Sequence, residues 1–472
     1  MTTPRTPSGA TVQIDDDTIW NDIRSASKQD AGEIRELLAK SRELKGLRGR
    51  DLAVLAGVSD PELLAALFET ARSVKEAIYG KRLVIFAPLY ISNLCGNECS
   101  YCAFRARNTE LVRRALTLEE IAREVKWLEE QGHKRILLVA GEAYPKQGFD
   151  YVLDSIATIY ATSSGPGEIR RVNVNVAPLT DGEFARLKAA KIGTYQLFQE
   201  TYHRETYAQV HIAGKKRDFD WRITAMDRAM KAGIDDVGIG VLFGLFDWRF
   251  EVLALMQHVA HLEREFGVGP HTISVPRIEP ATGSSLADHP PHAVSDVDFR
   301  KIVAILRLAV PYTGLILSTR ESAEMRHETF ALGISQISAG SRTNPGGYGA
   351  DSSDPRYAEQ FSLGDHRSLD EVIRDVAALG FVPSFCTACY RAGRTGDRFM
   401  SLCKSGKIHA CCTPNAIMTT KEYLVDYASP ATRAKGEALI RQSLELIDNP
   451  KTRRIAEQHL ADIEHGKRDF RF

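Results

Sequence analysis

The sequence predicts a (β/α)8 barrel of the TIM type, with a helical extension before it and a helical domain after it. From Arg82 onward, short apolar and β-branched runs alternate with amphipathic stretches of helical period, the pattern of repeated βα units. Eight such runs occur within about 260 residues, which is the size of a closed eight-unit barrel. The runs lack strict polar alternation, as expected of strands buried on both faces.

The expected strands follow one another along the chain with helices between them. They cover residues 83–91, 135–140, 169–176, 194–199, 237–243, 272–278, 314–318 and 335–339. Apolar residues at three- and four-residue spacing predict intervening helices, for example over 118–131 and 220–232. A doubly wound open sheet is the alternative that the same alternation permits.

Two further regions flank the expected barrel. Residues 1–78 combine a polar start with helical spacing over 30–45 and 60–78, and we find no chemistry in them. The glycine-rich passage 340–350 predicts a boundary, so the barrel is assigned to residues 79–345. Residues 346–472 form the expected C-terminal iron-sulfur domain, which ends in a helical tail over 430–465.

Charge and hydropathy exclude several classes of function. Lys plus Arg and Asp plus Glu both number 61, so no net field attracts nucleic acid or an anionic membrane. The longest apolar stretches fall short of the ~20 residues that span a bilayer. The opening residues lack the apolar core of a secretion signal, so we expect a cytoplasmic protein with reduced thiols and no nucleic-acid or membrane partner.

The eight cysteines form two groups, with none between Cys102 and Cys386. The first group, Cys95-x3-Cys99-x2-Cys102, follows the first expected strand and so belongs at the C-terminal mouth of the barrel. Four-iron clusters are normally held by four thiolates, so three leave one iron open for chemistry. A structural zinc site is the alternative, but zinc needs a fourth Cys or His, and none follows within 30 residues.

This first motif resembles that of the radical S-adenosylmethionine (SAM) superfamily. The resemblance implies that the open iron binds the amino and carboxylate groups of SAM, and that one electron releases a 5'-deoxyadenosyl radical. Residues at expected strand ends fit contacts to the SAM amine, ribose, carboxylate and adenine: Gly141, Glu142, Glu200, Arg222, Gly238 and Gly240. A Glu or Arg at a strand end, taken alone, is more often part of a surface ion pair.

The second group, Cys386-x2-Cys389-x22-Cys412, again offers three thiols for one cluster. With CTACYR, GRTGDRFM and CTPNA around it, and GPHTISVPRIEPATG and ILSTRES upstream, the chain resembles the tyrosine lyases that mature FeFe-hydrogenases, the HydG family. The resemblance covers essentially the whole chain from about residue 80. The motif does not need Cys403 or Cys411, although Cys411 adjoins Cys412 and is an alternative ligand.

The resemblance implies a reaction at each group of cysteines. At the first, L-tyrosine is cleaved between Cα and Cβ to p-cresol and dehydroglycine. At the second, dehydroglycine yields CO and cyanide on iron for the hydrogenase H-cluster. The implied cofactors are a 4Fe-4S cluster with SAM and an auxiliary 4Fe-4S cluster with an additional iron and L-cysteine. The implied partners are tyrosine, SAM, cysteine, an electron donor of the flavodoxin or ferredoxin type and other hydrogenase maturation proteins.

Three further residues are expected to complete the two sites. His271 precedes the sixth expected strand and so belongs at the bottom of the barrel, a strand length of roughly 23 Å from the Cys95 mouth. We expect the C-terminal domain to close this end, His271 to bind the additional iron, and the barrel interior to carry dehydroglycine. Arg320 and Ser318 are expected to hold the tyrosine carboxylate, the alternative being a rim salt bridge from Arg320 to Glu321.

Two other functions share parts of this pattern. The tyrosine lyase of thiamine biosynthesis, 2-iminoacetate synthase, has the barrel and the first motif but needs no second cluster. A non-catalytic iron-sulfur carrier would hold both clusters without cleaving SAM. Reductive cleavage of SAM excludes the carrier, and formation of CO and cyanide excludes the thiamine enzyme.

Overall fold

A closed parallel barrel forms the centre of the molecule. The computed structural model describes residues 11–26, 30–349, 358–405 and 408–472. Within these residues, eight parallel strands form the barrel, and β8 pairs with β1 to close it. The strands are β1 (Arg82–Ser92), β2 (Arg135–Ala140), β3 (Arg171–Asn175), β4 (Tyr195–Gln196), β5 (Val237–Gly240), β6 (Thr272–Ser274), β7 (Gly314–Leu317) and β8 (Gln336–Ser338).

The closure confirms the predicted barrel and excludes the open sheet. Neighbouring strands along the chain are neighbours in the barrel, and Val84 and Ile85 of β1 pair with Gln336 and Ile337 of β8. All eight expected strands are present, but several are shorter than expected. Beyond Gly240 and Ser274 the regular strands end, and the pairing continues only as isolated bridges, for example between Phe243 and Arg277.

Helices surround the barrel and fill both flanking regions. They are α1 (Asp16–Ser25), α2 (Ala31–Ser41), α3 (Arg50–Gly57), α4 (Pro61–Tyr79), α5 (Leu118–Glu130), α6 (Asp150–Ala161), α7 (Asp181–Ala189), α8 (Arg204–Val210), α9 (Phe219–Ile223), α10 (Ala225–Lys231), α11 (Trp248–Phe266), α12 (Ser285–Asp288), α13 (Asp296–Ala309), α14 (Ala323–Leu332), α15 (Leu369–Ala378), α16 (Ala388–Arg391), α17 (Gly396–Lys404), α18 (His409–Asp426), α19 (Pro430–Glu445) and α20 (Pro450–Glu464).

Polar side chains at helix ends explain where the helices begin. They also mark the places where one predicted helix is two helices in the structure. Thr117 and Glu120 form a reciprocal capping box that begins α5 where the sequence predicts it. The expected helix 220–232 is two helices that meet at Thr224, whose backbone (φ −85°, ψ 4°) departs from helical values and whose hydroxyl bonds back to the Asp220 carbonyl. The expected tail 430–465 is also two helices, since Asn449 caps a new helix ahead of Pro450.

The flanking regions cover opposite parts of the barrel. Helices α1, α3 and α4 pack on α11, α13 and α14 of the barrel wall, while residues 1–10 of the predicted polar start lie outside the described residues. The C-terminal part adds strand β9 (Val382–Ser384), which pairs with the first residues of β1 and so lies at the barrel bottom. The predicted division at residues 78 and 345 stays a prediction. No helix in the described part of the chain is sufficiently long and apolar to span a membrane.

Candidate active site and auxiliary cysteine site

The first cysteine group forms one wall of a cavity at the barrel mouth, which we call the upper cavity. Cys95, Cys99 and Cys102 lie on the loop after β1 and line a volume of about 200 Å³. Cys99 belongs to a short strand that pairs antiparallel with His211–Ala213, which fixes the loop against the barrel rim. Among the described residues that line this cavity, no histidine or fourth cysteine accompanies the three thiols.

Asn97 ties the cysteine loop to its surroundings. Its side chain donates to Glu142 Oε2 at 2.8 Å and accepts from the Lys216 backbone N–H at 3.0 Å. Gly214 has φ +91°, and a Cβ there would lie 2.3 Å from Asn97 Oδ1, so only glycine permits this close packing. The loop conformation therefore depends on a contact with the segment that carries Lys216.

Two carboxylates and two cations form a buried network beside the thiols. Arg222 donates to Glu142 at 2.8 Å and reaches Glu200 at 3.4 Å, and Lys216 pairs with the same Glu200 oxygen at 2.7 Å. Burial opposes ionisation of Glu142, but Arg222 and Lys216 outweigh it and lower the pKa of this carboxyl. The predicted Arg222, Glu142 and Glu200 thus converge on the upper cavity as polar groups.

Glu200 is held in an uncommon backbone conformation. Its φ is +73°, a region that costs a non-glycine residue ~1–3 kcal/mol unless its surroundings impose it. The next two residues are fixed by Glu251 of α11, which accepts from the Thr201 hydroxyl and from the Tyr202 N–H at 2.8 Å. Burial raises the pKa of Glu251 to about 8. Glu251 therefore clamps the turn that aims Glu200 into the cavity.

The three predicted glycines allow close packing of protein on protein. A Cβ at Gly141 would lie 2.2 Å from the Leu94 carbonyl oxygen, so this glycine admits the cysteine loop against the end of β2. A Cβ at Gly238 would meet Thr272 Oγ1 at 2.4 Å, and one at Gly240 would meet the Ser274 oxygen at 2.8 Å. Gly141 lines the upper cavity, whereas Gly238 and Gly240 lie outside its lining and make room for neighbouring strands.

Ser318 and Arg320 also line the upper cavity, just beyond the end of β7. The Arg320 guanidinium stacks over the Phe361 ring at 3.2 Å and has no carboxylate within ion-pair distance among the described residues. The alternative salt bridge to Glu321 does not form, because Arg277 occupies that carboxylate, with one N–H···O bond of 2.9 Å. Arg320 is therefore free to receive an anionic substrate group.

The second cysteine group lines another cavity, the lower cavity, at the bottom of the barrel. Cys386, Cys389 and Cys412 lie around a volume of about 50 Å³, and His271 lines the same space. The His271 Nδ1 lies 3.5 Å from Asp236 Oδ1 and makes no hydrogen bond within the described residues. The structure thus brings His271 and these three thiols together, on the side opposite Cys95.

The remaining cysteines lie outside this lining. Cys403 is fully buried in a small apolar cluster with Phe399 and Met400. Cys411 receives a hydrogen bond from Arg394 at 3.1 Å and is not among the residues that line the lower cavity. Of the two adjacent thiols, Cys412 is the one that lines the cavity.

The two cavities are separated by little more than one layer of barrel side chains. On β1, Val84 lines the lower cavity and Phe86 the upper, and on β8 Gln336 and Ser338 are divided in the same way. Two strand residues span ~6.6 Å. The interior of the barrel therefore offers a short path between the sites.

Several lining residues could not be found from the sequence pattern. Lys216 sits in the run Lys215-Lys216-Arg217, which reads as a solvated charge run. Gln360 donates to Cys102 Sγ at 3.6 Å and accepts from the Tyr90 hydroxyl at 2.7 Å, although it lies beyond the expected barrel boundary. Only the fold brings these residues to the thiols.

Comparison with family models defines the class of this protein. Residues 89–256 match the model of the radical SAM superfamily, and residues 274–382 match the biotin and thiamin synthesis associated domain. The chain is thus a radical SAM enzyme, and this class uses a 4Fe-4S cluster with SAM. The three thiols of the upper cavity, with no further cysteine or histidine among the described residues that line it, fit such a cluster with an open iron.

Individual relatives narrow the family. A crystal structure of HydG, a maturase of FeFe-hydrogenase, is 51% identical with a TM-score of 0.94, covering 97% of this chain and 99% of that one. HydG from Carboxydothermus hydrogenoformans is 44% identical with a TM-score of 0.83, over 94% and 97% of the two chains. The 2-iminoacetate synthase of Escherichia coli is 33% identical over 80% of this chain and 97% of its own length. This chain belongs to the HydG family.

Proposed function

We propose that this protein cleaves L-tyrosine to p-cresol and dehydroglycine at the upper cavity and produces CO and cyanide at the lower cavity for FeFe-hydrogenase maturation. One observation carries the proposal. Two groups of three thiols line two cavities at opposite ends of one closed barrel, with about one interior layer between them. A lyase that releases a free product needs one cysteine site, whereas passing an intermediate to a second reaction needs two.

The residues of the upper cavity have distinct roles in this proposal. Cys95, Cys99 and Cys102 hold the cluster that, with SAM, supplies the 5'-deoxyadenosyl radical. Glu142, Glu200 and Arg222 contact the polar groups of SAM, and the Glu142–Arg222 and Glu200–Lys216 pairs keep these side chains oriented before SAM arrives. A preoriented site limits the motion of a reactive radical and keeps water from it.

Substrate binding falls to the residues that follow β7 at the barrel mouth. Arg320, with Ser318 beside it, holds the tyrosine carboxylate, since its guanidinium faces the cavity without a carboxylate of its own. Its stacking on Phe361 fixes the plane of the guanidinium. Tyrosine is thereby held by its carboxylate with its amine toward the SAM side of the cavity.

At the lower cavity, Cys386, Cys389 and Cys412 hold the auxiliary cluster. His271 binds the additional iron, which L-cysteine bridges to the cluster, because its imidazole lines the same cavity as the three thiols. We assign the remaining partners on the family resemblance: an electron carrier of the flavodoxin or ferredoxin type and other hydrogenase maturation proteins, all in the cytoplasm.

Removing the auxiliary ligands tests whether two sites act in sequence. A Cys386→Ala, Cys389→Ala variant is expected to release p-cresol from tyrosine, SAM and reductant at the normal rate while forming no CO or cyanide. Product analysis of anaerobic reactions measures both. Cys411→Ala is the matched control, since Cys411 adjoins the ligand Cys412 without lining the cavity, and it should form CO normally.

Two results would change the conclusion. Loss of p-cresol in the double variant would contradict separate sites. A wild-type protein that makes p-cresol but neither CO nor cyanide would act as a 2-iminoacetate synthase, the activity named for its 33% identical relative.

A further inference from the structure

A short strand pair beside the first cysteine group places an apolar side chain on the surface. Glu98 and Cys99 pair with residues 213 and 211 respectively, so Ile212 lies between the two pairs and has no partner across the strands. This irregularity has the form of a β-bulge, which changes the direction of the side chain at the extra residue. Ile212 is 49% exposed although it is apolar and β-branched. The bulge therefore holds an apolar side chain in solvent next to a cluster ligand.

The exposed Ile212 lies close to the place where the cluster binds. Facing Cα atoms in an antiparallel pair are ~4.5–5.5 Å apart, and neighbouring Cα atoms along a chain are about 3.8 Å apart. The Cα of Ile212 is therefore within roughly 10 Å of the Cα of Cys99. Gly96, which follows the ligand Cys95, is exposed as well. Because the rate of electron tunnelling falls steeply with distance, this part of the surface is a favourable entry point for an electron.

Basic residues are concentrated in the segments that surround the cysteine loop. Residues 95–114 and 211–218 together contain seven Lys or Arg and three Asp or Glu, whereas the whole chain contains 61 of each kind. Three of the seven are paired with carboxylates: Arg105 with Glu98, Arg114 with Glu120 and Lys216 with Glu200. Arg113 donates to the backbone carbonyls of Asn93 and Phe104. The other three cations have no such internal role.

These three cations, Arg107, Lys215 and Arg217, have exposed side chains. In the part of the chain that the structure describes, none of them has a carboxylate within 4.0 Å. The Asp218 carboxylate, adjacent in sequence, caps α9 by accepting from the Trp221 N–H at 2.8 Å. The surface beside the cysteine loop is therefore positively charged in a protein with no net charge.

Backbone contacts hold these cations around the cysteine loop. The Arg107 N–H donates to the Glu98 carboxylate at 2.8 Å. On the other side, the N–H of Lys216, which lies between Lys215 and Arg217, donates to the Asn97 side chain at 3.0 Å. Both contacts are made by two consecutive residues of the loop. We call Ile212 and the three exposed cations the docking face.

An apolar residue surrounded by cations beside a redox site fits one kind of partner. Each reductive cleavage of SAM consumes one electron, which must come from outside the upper cavity. Complementary charge raises the rate at which two proteins meet, and electron-transfer complexes bury only a small area, so a small charged face is sufficient. A carrier with an acidic surface meets both requirements.

We propose that the docking face binds an acidic one-electron carrier protein of the flavodoxin or ferredoxin type. One electron passes from the reduced carrier through this face to the first cysteine group. The electron is consumed in breaking one sulfonium S–C bond of SAM, which gives methionine and the 5'-deoxyadenosyl radical, and the carrier leaves oxidised by one electron. The inference deepens the proposed function, on which the identity of the carrier rests.

Charge reversal tests the docking face against a chemical reductant that needs no docking. An Arg107→Glu, Lys215→Glu, Arg217→Glu variant is assayed anaerobically for 5'-deoxyadenosine with tyrosine, SAM and either reduced flavodoxin or dithionite. At low ionic strength the rate with flavodoxin should fall about 10- to 100-fold, because electrostatic attraction is replaced by repulsion. The rate with dithionite should be unchanged. High salt should slow the flavodoxin reaction of the wild type.

Binding without turnover gives a second measurement. Isothermal titration calorimetry of oxidised flavodoxin into the anaerobic holoenzyme should show the affinity of the triple variant reduced about tenfold or more. Ile212→Ser should weaken binding about 3- to 30-fold through loss of apolar contact, while the salt dependence stays that of the wild type.

A Lys435→Glu, Arg441→Glu, Lys451→Glu variant is the matched control. It reverses three exposed charges on α19 and α20, in the C-terminal part of the chain, and should bind flavodoxin and accept electrons like the wild type. The proposal is overturned if the docking-face variant keeps the flavodoxin-driven rate and affinity, if the control loses both equally, or if the dithionite-driven rate falls as well. Formation of 5'-deoxyadenosine is separate from that of p-cresol and CO, so a failure of the proposed function is recognised on its own.

Discussion

At the residue scale, Arg320 is the charged side chain whose position most directly suggests contact with substrate. Arg320→Ala should raise the KM for tyrosine about 10- to 100-fold, because a charge-assisted bond to the carboxylate is lost. Steady-state kinetics of p-cresol release measures this change. The KM of Arg320→Lys should lie between those of the wild type and Arg320→Ala. Arg300→Ala, which removes an exposed arginine paired with Glu328, is the control. An unchanged KM would refute the assignment.

Glu251 is a residue-scale feature that depends on pH. Burial raises the pKa of this carboxyl from 4.5 to about 8, so the folded state favours the protonated form more than the unfolded state does. The resulting stability is present below about pH 4.5 and is lost as pH rises through 8.

Glu251→Gln should therefore flatten the fall in melting temperature between pH 5 and pH 8.5. The amide keeps an acceptor for the Thr201 hydroxyl and the Tyr202 N–H but carries no titratable proton. Differential scanning fluorimetry over this range measures the effect. Glu457→Gln on the exposed side of α20 should behave like the wild type, and an unaltered slope in Glu251→Gln would contradict the assignment.

At the element scale, the cysteine loop depends on how closely it meets the end of β2. Gly141→Ala should displace the loop, since a Cβ there would lie 2.2 Å from a backbone oxygen that has no freedom to move. We expect at least half of the upper-site iron and most SAM cleavage to be lost. Gly96→Ala, in the same loop but with nothing within 4 Å of the new Cβ, should retain both. Iron and sulfide counting distinguishes the two variants, and equal retention would contradict this account.

Sequence reasoning succeeded for elements whose signal is local. The spacing of Cys95, Cys99 and Cys102 can be read directly along the chain, so the motif could be predicted without a fold. The strands β1 and β2 could also be predicted, because each is a continuous apolar run. Sequence reasoning did not identify Lys216 or Glu251. A lysine in a basic run and a glutamate inside a helix have no neighbouring residues that indicate burial. The roles of Gly238 and Gly240 depend on Thr272 and Ser274 of the next strand, which only the barrel brings close.

At the scale of the whole molecule, the barrel interior lies between the two cavities. Gly314 lines the lower cavity, and a Cβ there would already lie 2.8 Å from the Gln336 amide. Gly314→Leu should narrow the path and reduce CO formation about tenfold or more while p-cresol release continues, with dehydroglycine escaping to solution as glyoxylate.

Simultaneous assays of p-cresol, CO and glyoxylate test this path. Gly182→Leu adds the same bulk on an open face of α7, where nothing lies within 4 Å, and should leave all three unchanged. CO formation at the wild-type rate in Gly314→Leu would mean that the intermediate travels outside the barrel. Strand direction alone was sufficient to predict that Cys95 and His271 lie at opposite ends of the barrel. The width of the barrel interior depends on side-chain packing, which no sequence pattern predicts.

Strand β9 has a consequence for how a finished product departs. Its residues Val382, Pro383 and Ser384 pair in parallel with the first residues of β1, so the C-terminal cap beneath the barrel belongs to the same hydrogen-bonded sheet as the barrel strands. Swinging that cap aside would break this ladder on every catalytic cycle. The finished product must instead leave through local movement of side chains and helix ends around the lower cavity. The bottom of the barrel itself stays closed during this movement.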